Sequence, residues 1–212
     1  MTRNIKPLSG NTSAPLHFTL LQIAACISSE NSLRANEVFS LEIRNNGFEF
    51  WVQHLDHASR QWRKADAFSG GTFDGFSEAV AESYSNLIKL TLSVAALEQY
   101  CKVFGREWHQ LGPDILHTEF QQTSLLRYTL ENTPASKIRN SLGNNLSAEW
   151  DRFIQGETAS ILRPAVALRH AAAHGEVWGA SQLSPLLTPL ADHILDAVKA
   201  HCEVVSSDIS SH

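Results

Sequence analysis

Phe76, Val80, Tyr84, Leu87, Val94, Leu97, Cys101 and Phe104 recur at steps of three, four and seven residues. That spacing traces one apolar stripe along a helix. It predicts a helix from about 74 to 104, closed by Gly105 and roughly 45 Å long at 1.5 Å per residue. A rod of this length needs other elements laid along it, and the rest of the sequence supplies mostly helices. Phe48, Trp51, Val52, Leu55, Ala58 and Trp62 predict an amphipathic helix over 48–65, with a hairpin at Asn46-Gly47 as the competing reading. Shorter helices are expected at about 119–131, 134–142 and 147–155, divided by Thr133-Pro134 and Gly143-Asn144-Asn145. Another starts near Thr158, or at Pro164 if the proline takes its first turn, and runs to His174. Thr188 and Pro189 suit the start of a last helix carrying Leu190, Ile194, Val198 and Cys202. Residues 105–118, with Gly112-Pro113, read mostly as loop. Residues 1–13 form a loose leader, 15–28 a short apolar run of undecided type, and 37–43 a strand-like alternation of Phe39, Leu41 and Ile43. The sum is an all-α fold, an antiparallel helical bundle over 71–206 with an N-terminal extension over 1–70.

Composition narrows the setting. Hydrophobic residues are 43% of the chain and charged residues 18%, a globular balance. The three cysteines, Cys26, Cys101 and Cys202, are too few and too scattered for a disulfide framework or a zinc ligand set. They suit reduced thiols in a reducing compartment. Ile23-Ala24-Ala25-Cys26 has the form of a lipoprotein cleavage box, but His17, Thr19 and Gln22 break the apolar run before it. No stretch approaches the ~20 apolar residues of a membrane span. The expectation is a cytoplasmic protein without a membrane partner.

The net charge of −5 does not mark a general nucleic-acid binder. Its distribution says more. Residues 127–169 carry six basic residues (Arg127, Lys137, Arg139, Arg152, Arg163, Arg169) against four acidic ones, whereas 65–126 carry three against eight. The mildly basic segment leads into Arg169-His170-Ala171-Ala172-Ala173-His174-Gly175, a helix end rich in groups suited to phosphate chemistry. An ordinary solvated surface would explain the same small excess.

An Arg, a polar residue, three further residues and a His, placed at the end of a helix, resemble the signature of the HEPN family (higher eukaryotes and prokaryotes nucleotide-binding domains). Arg169, His170 and His174 match it position by position. The preceding long helix with Ala96-Leu97-Glu98-Gln99-Tyr100-Cys101-Lys102, and the loop and apolar helix that follow His174, are in the order that the family shows. The resemblance covers roughly 74–204 and implies a HEPN-type bundle with metal-independent endoribonuclease activity, often in toxin–antitoxin, phage-defence or stress settings, with no cofactor. It also implies a homodimer in which two copies of the motif line one cleft, and an antitoxin or other partner protein.

The residue types fit that chemistry. Cutting RNA through its own 2′-OH needs a base for the hydroxyl, an acid for the leaving 5′-oxygen and positive charge on the phosphate. Imidazole serves as either acid or base near neutrality, and guanidinium grips two phosphate oxygens at once. Arg169 is the candidate phosphate contact, His174 the proton-transfer group and His170 a positioning or substrate-contacting group. At about 100° per residue, His170 and His174 lie about 40° apart on the helix, but Arg169 and His174 about 140° apart, so one helix makes a sparse site. Glu98, Trp178 and Arg163 are secondary candidates for substrate binding, Glu98 by a salt bridge that orients Arg169 and Trp178 by stacking on a base. For each, an ordinary surface or core role is the competing reading, as it is for Trp51, Trp62, Trp108, Trp150, Lys137 and Arg139. His170 and His174 also have the spacing of a helical metal pair, yet Glu176, Asp192 and His193 are third ligands only by default, so no metal is assigned. A non-catalytic module that binds a partner protein or nucleotide is the alternative function.

Overall fold

Apolar stripes at helical spacing become helices throughout the residues that the computed structural model describes, 47–132, 138–140, 142–174 and 182–210. In chain order these are α1 (Gly47–Ala67), α2 (Glu78–Val103), α3 (Trp108–Ile115), α4 (Thr123–Asn132), α5 (Asn144–Ile154), α6 (Leu162–Ala173) and α7 (Ser184–Ser210). Residues 138–140 are helical as well, and there is no strand among the described residues. The fold is all-α. The leader, the apolar run 15–28 and the strand-like stretch 37–43 lie outside the described residues, as does Cys26. Gly47 is the first residue of α1, so the helical reading of 48–65 applies rather than a hairpin at that glycine.

The spine is α2, and it is buried on several faces rather than one. Leu87, Leu90, Val94, Ala96, Leu97, Tyr100, Cys101 and Val103 all enter the core. It packs against α1, α3, α6 and α7. Small polar residues permit that crowding because their hydroxyls return to their own backbone: Ser93 Oγ donates to the Lys89 carbonyl at 2.9 Å, and Ser85 Oγ to that of Ala81 at 2.8 Å. The helix ends where Gly105 takes φ +65°, with the Gly105 amide on the Lys102 carbonyl and the Arg106 amide on that of Cys101. This is a Schellman closure, which a glycine enters without strain. Its start is later than the stripe suggests: Phe76 precedes the helix and is 52% exposed.

Although α1 belongs to the N-terminal 70 residues, its Leu55, Ala58, Trp62 and Ala65 join the same core, and Trp62 Nε1 donates to the Leu195 carbonyl of α7 at 3.2 Å. Two prolines are placed differently from expectation. Residues 105–118 contain α3 instead of being mostly loop, because Glu107 and Gln110 form a reciprocal capping box that starts a helix before Gly112-Pro113 is reached. Gly112 is there for close approach: a Cβ at that position would meet Leu162 Cδ2 at 2.9 Å, so α3 sits tightly on the start of α6. Likewise α7 begins at Ser184, not at Thr188, and Pro189 lies inside it. Buried Leu183, Leu186 and Leu187, together with Asn86, outweigh the one helical bond lost at Pro189. Asn86 Nδ2 donates to the Ser184 carbonyl and hydroxyl at 3.2 and 3.0 Å, and its Oδ1 accepts from Thr188 Oγ1 at 2.8 Å. Leu190, Ile194, Val198 and Cys202 form the apolar stripe of α7 and are fully buried.

Candidate functional site

The first hydrogen bond of α6 runs from the Ala165 amide to the Ile161 carbonyl, so Pro164 occupies a first-turn position where no donor is needed. Beyond that point the helix is almost wholly inside the protein. Pro164, Ala165, Val166, Ala167, Leu168 and Ala171 are buried, which leaves Arg163, Arg169, His170, Ala173 and His174 as its main routes to solvent. The motif is therefore the polar end of a core helix. Ala171 packs into the chain's own core and Ala172 against it, so only Ala173 of the small-residue triplet is exposed. The triplet does not offer a three-residue stripe to a partner.

Arg169 turns toward α2, where its Nη1 pairs with Glu98 Oε1; the two side chains are 31% and 22% exposed. His170 and His174 lie together, ring centroids 4.4 Å apart and tilted by 53°. His174 closes the helix, its amide donating to the His170 carbonyl at 3.2 Å. Thus the two imidazoles lie together at the helix end, His170 half-buried and His174 exposed, while the guanidinium is directed to a carboxylate on the neighbouring helix. Trp178, Gly175 and Glu176 lie outside the described residues, as does Lys137.

The basic segment is engaged by its own neighbours. Arg127 donates to the carbonyls of Phe153 and Thr158 at 2.6 and 3.0 Å. Arg139 makes a two-point contact with Asp151, at 2.7 and 2.6 Å, and the guanidinium holds that carboxyl below its ordinary range. Arg152 lies between Glu149 and Glu157, at 3.3 and 3.4 Å. Arg163 instead places its guanidinium carbon 4.7 Å from the ring centroid of Trp108 on α3. The remaining default metal ligands have other partners: Asp192 pairs with Lys89 at 2.6 Å, and the His193 ring lies 5.5 Å from that of Phe120. No group of three or more His, Cys, Asp or Glu suited to a metal occurs among the described residues.

Sequence reasoning missed two other polar arrangements. Tyr100 on α2 and His201 on α7 meet through the hydroxyl and Nδ1 at 2.9 Å, flanked by the Phe104 ring and by the buried thiols of Cys101 and Cys202. Burial pushes both thiols up to about 12, so they stay protonated and poorly nucleophilic. An open groove of about 940 Å³ runs beside the N-terminal half of α2, lined by Gly70, Phe73, Phe76, Glu78, Glu82 and Asn86 among others; no motif residue borders it. No described helix is long and apolar enough to cross a membrane. Comparison with protein-family models, with characterised proteins and with solved structures finds no match to this chain.

Proposed function

We propose that the protein is an endoribonuclease of the HEPN type, an antiparallel bundle acting as a homodimer in a toxin, defence or stress role in the cytoplasm. The observation that carries this reading is the pair of imidazoles at the end of α6, His170 half-buried and His174 exposed, with centroids 4.4 Å apart and one residue beyond an arginine. The pair supplies what cleavage by the substrate's own hydroxyl requires. A neutral imidazole takes the 2′-OH proton as that oxygen attacks phosphorus, and an imidazolium protonates the departing 5′-oxygen. The products are a 2′,3′-cyclic phosphate and a 5′-hydroxyl. Arg169, on release from Glu98, neutralises the charge on the phosphate oxygens. His174 is the proton-transfer group in this scheme and His170 its neighbour at the substrate. Purified protein is expected to cut RNA in EDTA and leave cyclic phosphate ends, with Arg169→Ala and His174→Ala each abolishing cleavage. Wild type as inert as the variants on several RNA types would end this reading.

One observation favours a second function. The Arg169 charge is already met by Glu98, and four of the five described arginines in 127–169 are paired within the chain. A non-catalytic module binding a partner protein or nucleotide needs no free guanidinium. It predicts an inert protein that nevertheless recovers a specific partner, whose binding survives Arg169→Ala.

A further inference from the structure

Arg163 differs from the other described arginines of its segment. Among the described residues no carboxylate lies within ion-pair distance of it and no acceptor takes its N–H groups. Its guanidinium carbon lies 4.7 Å from the centroid of the Trp108 ring, its one polar or ring partner among the described residues. A cation over a ring makes no hydrogen bond to it, so the guanidinium N–H donors stay available for another acceptor. Both side chains are partly buried and Trp108 packs against the core, so the charge is held in place rather than swinging in solvent.

The helix relates this pair to the histidines. From Arg163, His170 and His174 are reached by rotations that bring each within about 20° of the same face, about 10 and 16 Å along the axis. Arg169 is about 120° away from Arg163 on the same helix and is occupied by Glu98. Arg163 and the two imidazoles therefore share one face of α6, the cation at one end and the imidazoles at the other, with buried Val166 and Ala167 between them. Stacked nucleotides rise about 3.4 Å each, so about three reach from Arg163 to His170 and about five to His174.

We propose that Trp108 and Arg163 form a subsite for single-stranded RNA, with a base stacked on the outer face of the guanidinium and a phosphate accepted by its in-plane donors. The identity of the ligand rests on the ribonuclease reading; the subsite itself rests on the uncommitted, ring-mounted arginine. Stacking on Trp108 and Arg163 tolerates any base, since every base has a π-face. The subsite thus selects unpaired strands rather than a sequence.

The test uses the full chain and a short, fluorescently labelled 2′-O-methyl RNA, which lacks the attacking hydroxyl and is read by anisotropy across a salt series. Arg163→Gln and Trp108→Leu are each expected to weaken binding about 10-fold. Arg163→Gln should also lower the slope of log Kd against log salt by about 0.7, the value of one phosphate contact on a single strand, while Trp108→Leu leaves the slope alone. Arg163→Lys should restore the slope without the full affinity. A melting curve on each variant identifies any loss of fold, and Arg163→Lys decides the matter where Trp108→Leu is destabilised. Variants with wild-type affinity and slope, in a protein that binds and cuts RNA, overturn the subsite and leave the ribonuclease standing. Lower melting temperatures with unchanged binding would make the pair a fastener between α3 and α6, and equally overturn it. Binding that depends on both residues in a protein unable to cut the 2′-OH form sustains the subsite and ends the ribonuclease reading. Wild type that fails to bind the probe ends both.

Discussion

The Arg169–Glu98 pair has two consequences for a phosphate-binding site. The carboxylate aims the guanidinium, and it also competes with any phosphate for the same donors. Both side chains are largely covered, 31% and 22% exposed, so the pair is screened less than an open surface bridge. Replacing the carboxylate by an amide keeps the shape and removes the competing charge. Glu98→Gln is expected to bind the 2′-O-methyl RNA about two- to five-fold tighter at low salt, the scale of a partly covered ion pair. Unchanged or weaker binding, measured by anisotropy, would mean that Arg169 does not meet the strand. Glu98 was readable from the sequence because it sits beside Val94 and Cys101 at the edge of a stripe. The partners of Arg127, Arg139 and Arg163 were not, since a segment's charge count is blind to residues brought close by folding.

At the scale of helices, the sequence marked periodic segments well and proline-containing ones poorly. The buried stripes of α2 and α7 are the ones that the spacing indicates from Leu87 and Leu190 onward. Gly112-Pro113 and Pro189 looked like boundaries, yet both lie in helices held by distant residues, Leu162 in one case and Asn86 in the other. Such support is tertiary and leaves no local trace. The joint between α2 and α7 has its own pH dependence. Burial lowers the pKa of His201 from its ordinary 6.5; Asp114 opposes this and His117 adds to it. The folded state therefore takes up the proton less readily than the unfolded chain. Its contribution to stability is complete above about 6.5 and is lost as pH falls through the lower folded value. In the imidazolium both ring nitrogens carry protons, so Nδ1 can only donate to the Tyr100 hydroxyl. Thermal midpoints should fall on acidification below that point, and His201→Gln, which retains an acceptor for Tyr100, should flatten the decline. Parallel declines in the two proteins would place the sensitivity elsewhere.

For the molecule as a whole, the all-α class was legible because every long periodic segment carried a helical repeat. The completeness of the site was not legible. Within one chain Arg169 faces Glu98 on α2, while His174 lies against His170 at the helix end with the rings tilted. The two groups assigned to phosphate binding and proton transfer thus diverge, as the 140° of helical rotation between them requires. In the proposed homodimer a two-fold axis beside the end of α6 would set the arginine of one copy against the histidine of the other, and each symmetric pair would hold two such sites. This makes a complementation experiment decisive. On the proposed mechanism, Arg169→Ala and His174→Ala proteins are each expected to be inactive alone. In a mixed dimer the His174→Ala copy still offers Arg169 and the Arg169→Ala copy still offers His174, so one of the two sites is whole. Random exchange of equal amounts makes about half the dimers mixed, and about a quarter of wild-type cleavage should return. A site contained in a single chain has no intact copy in any of these dimers and would stay silent. Energy transfer between a donor-labelled and an acceptor-labelled variant in the same mixture confirms that subunits have exchanged, so that silence after exchange rejects the shared site.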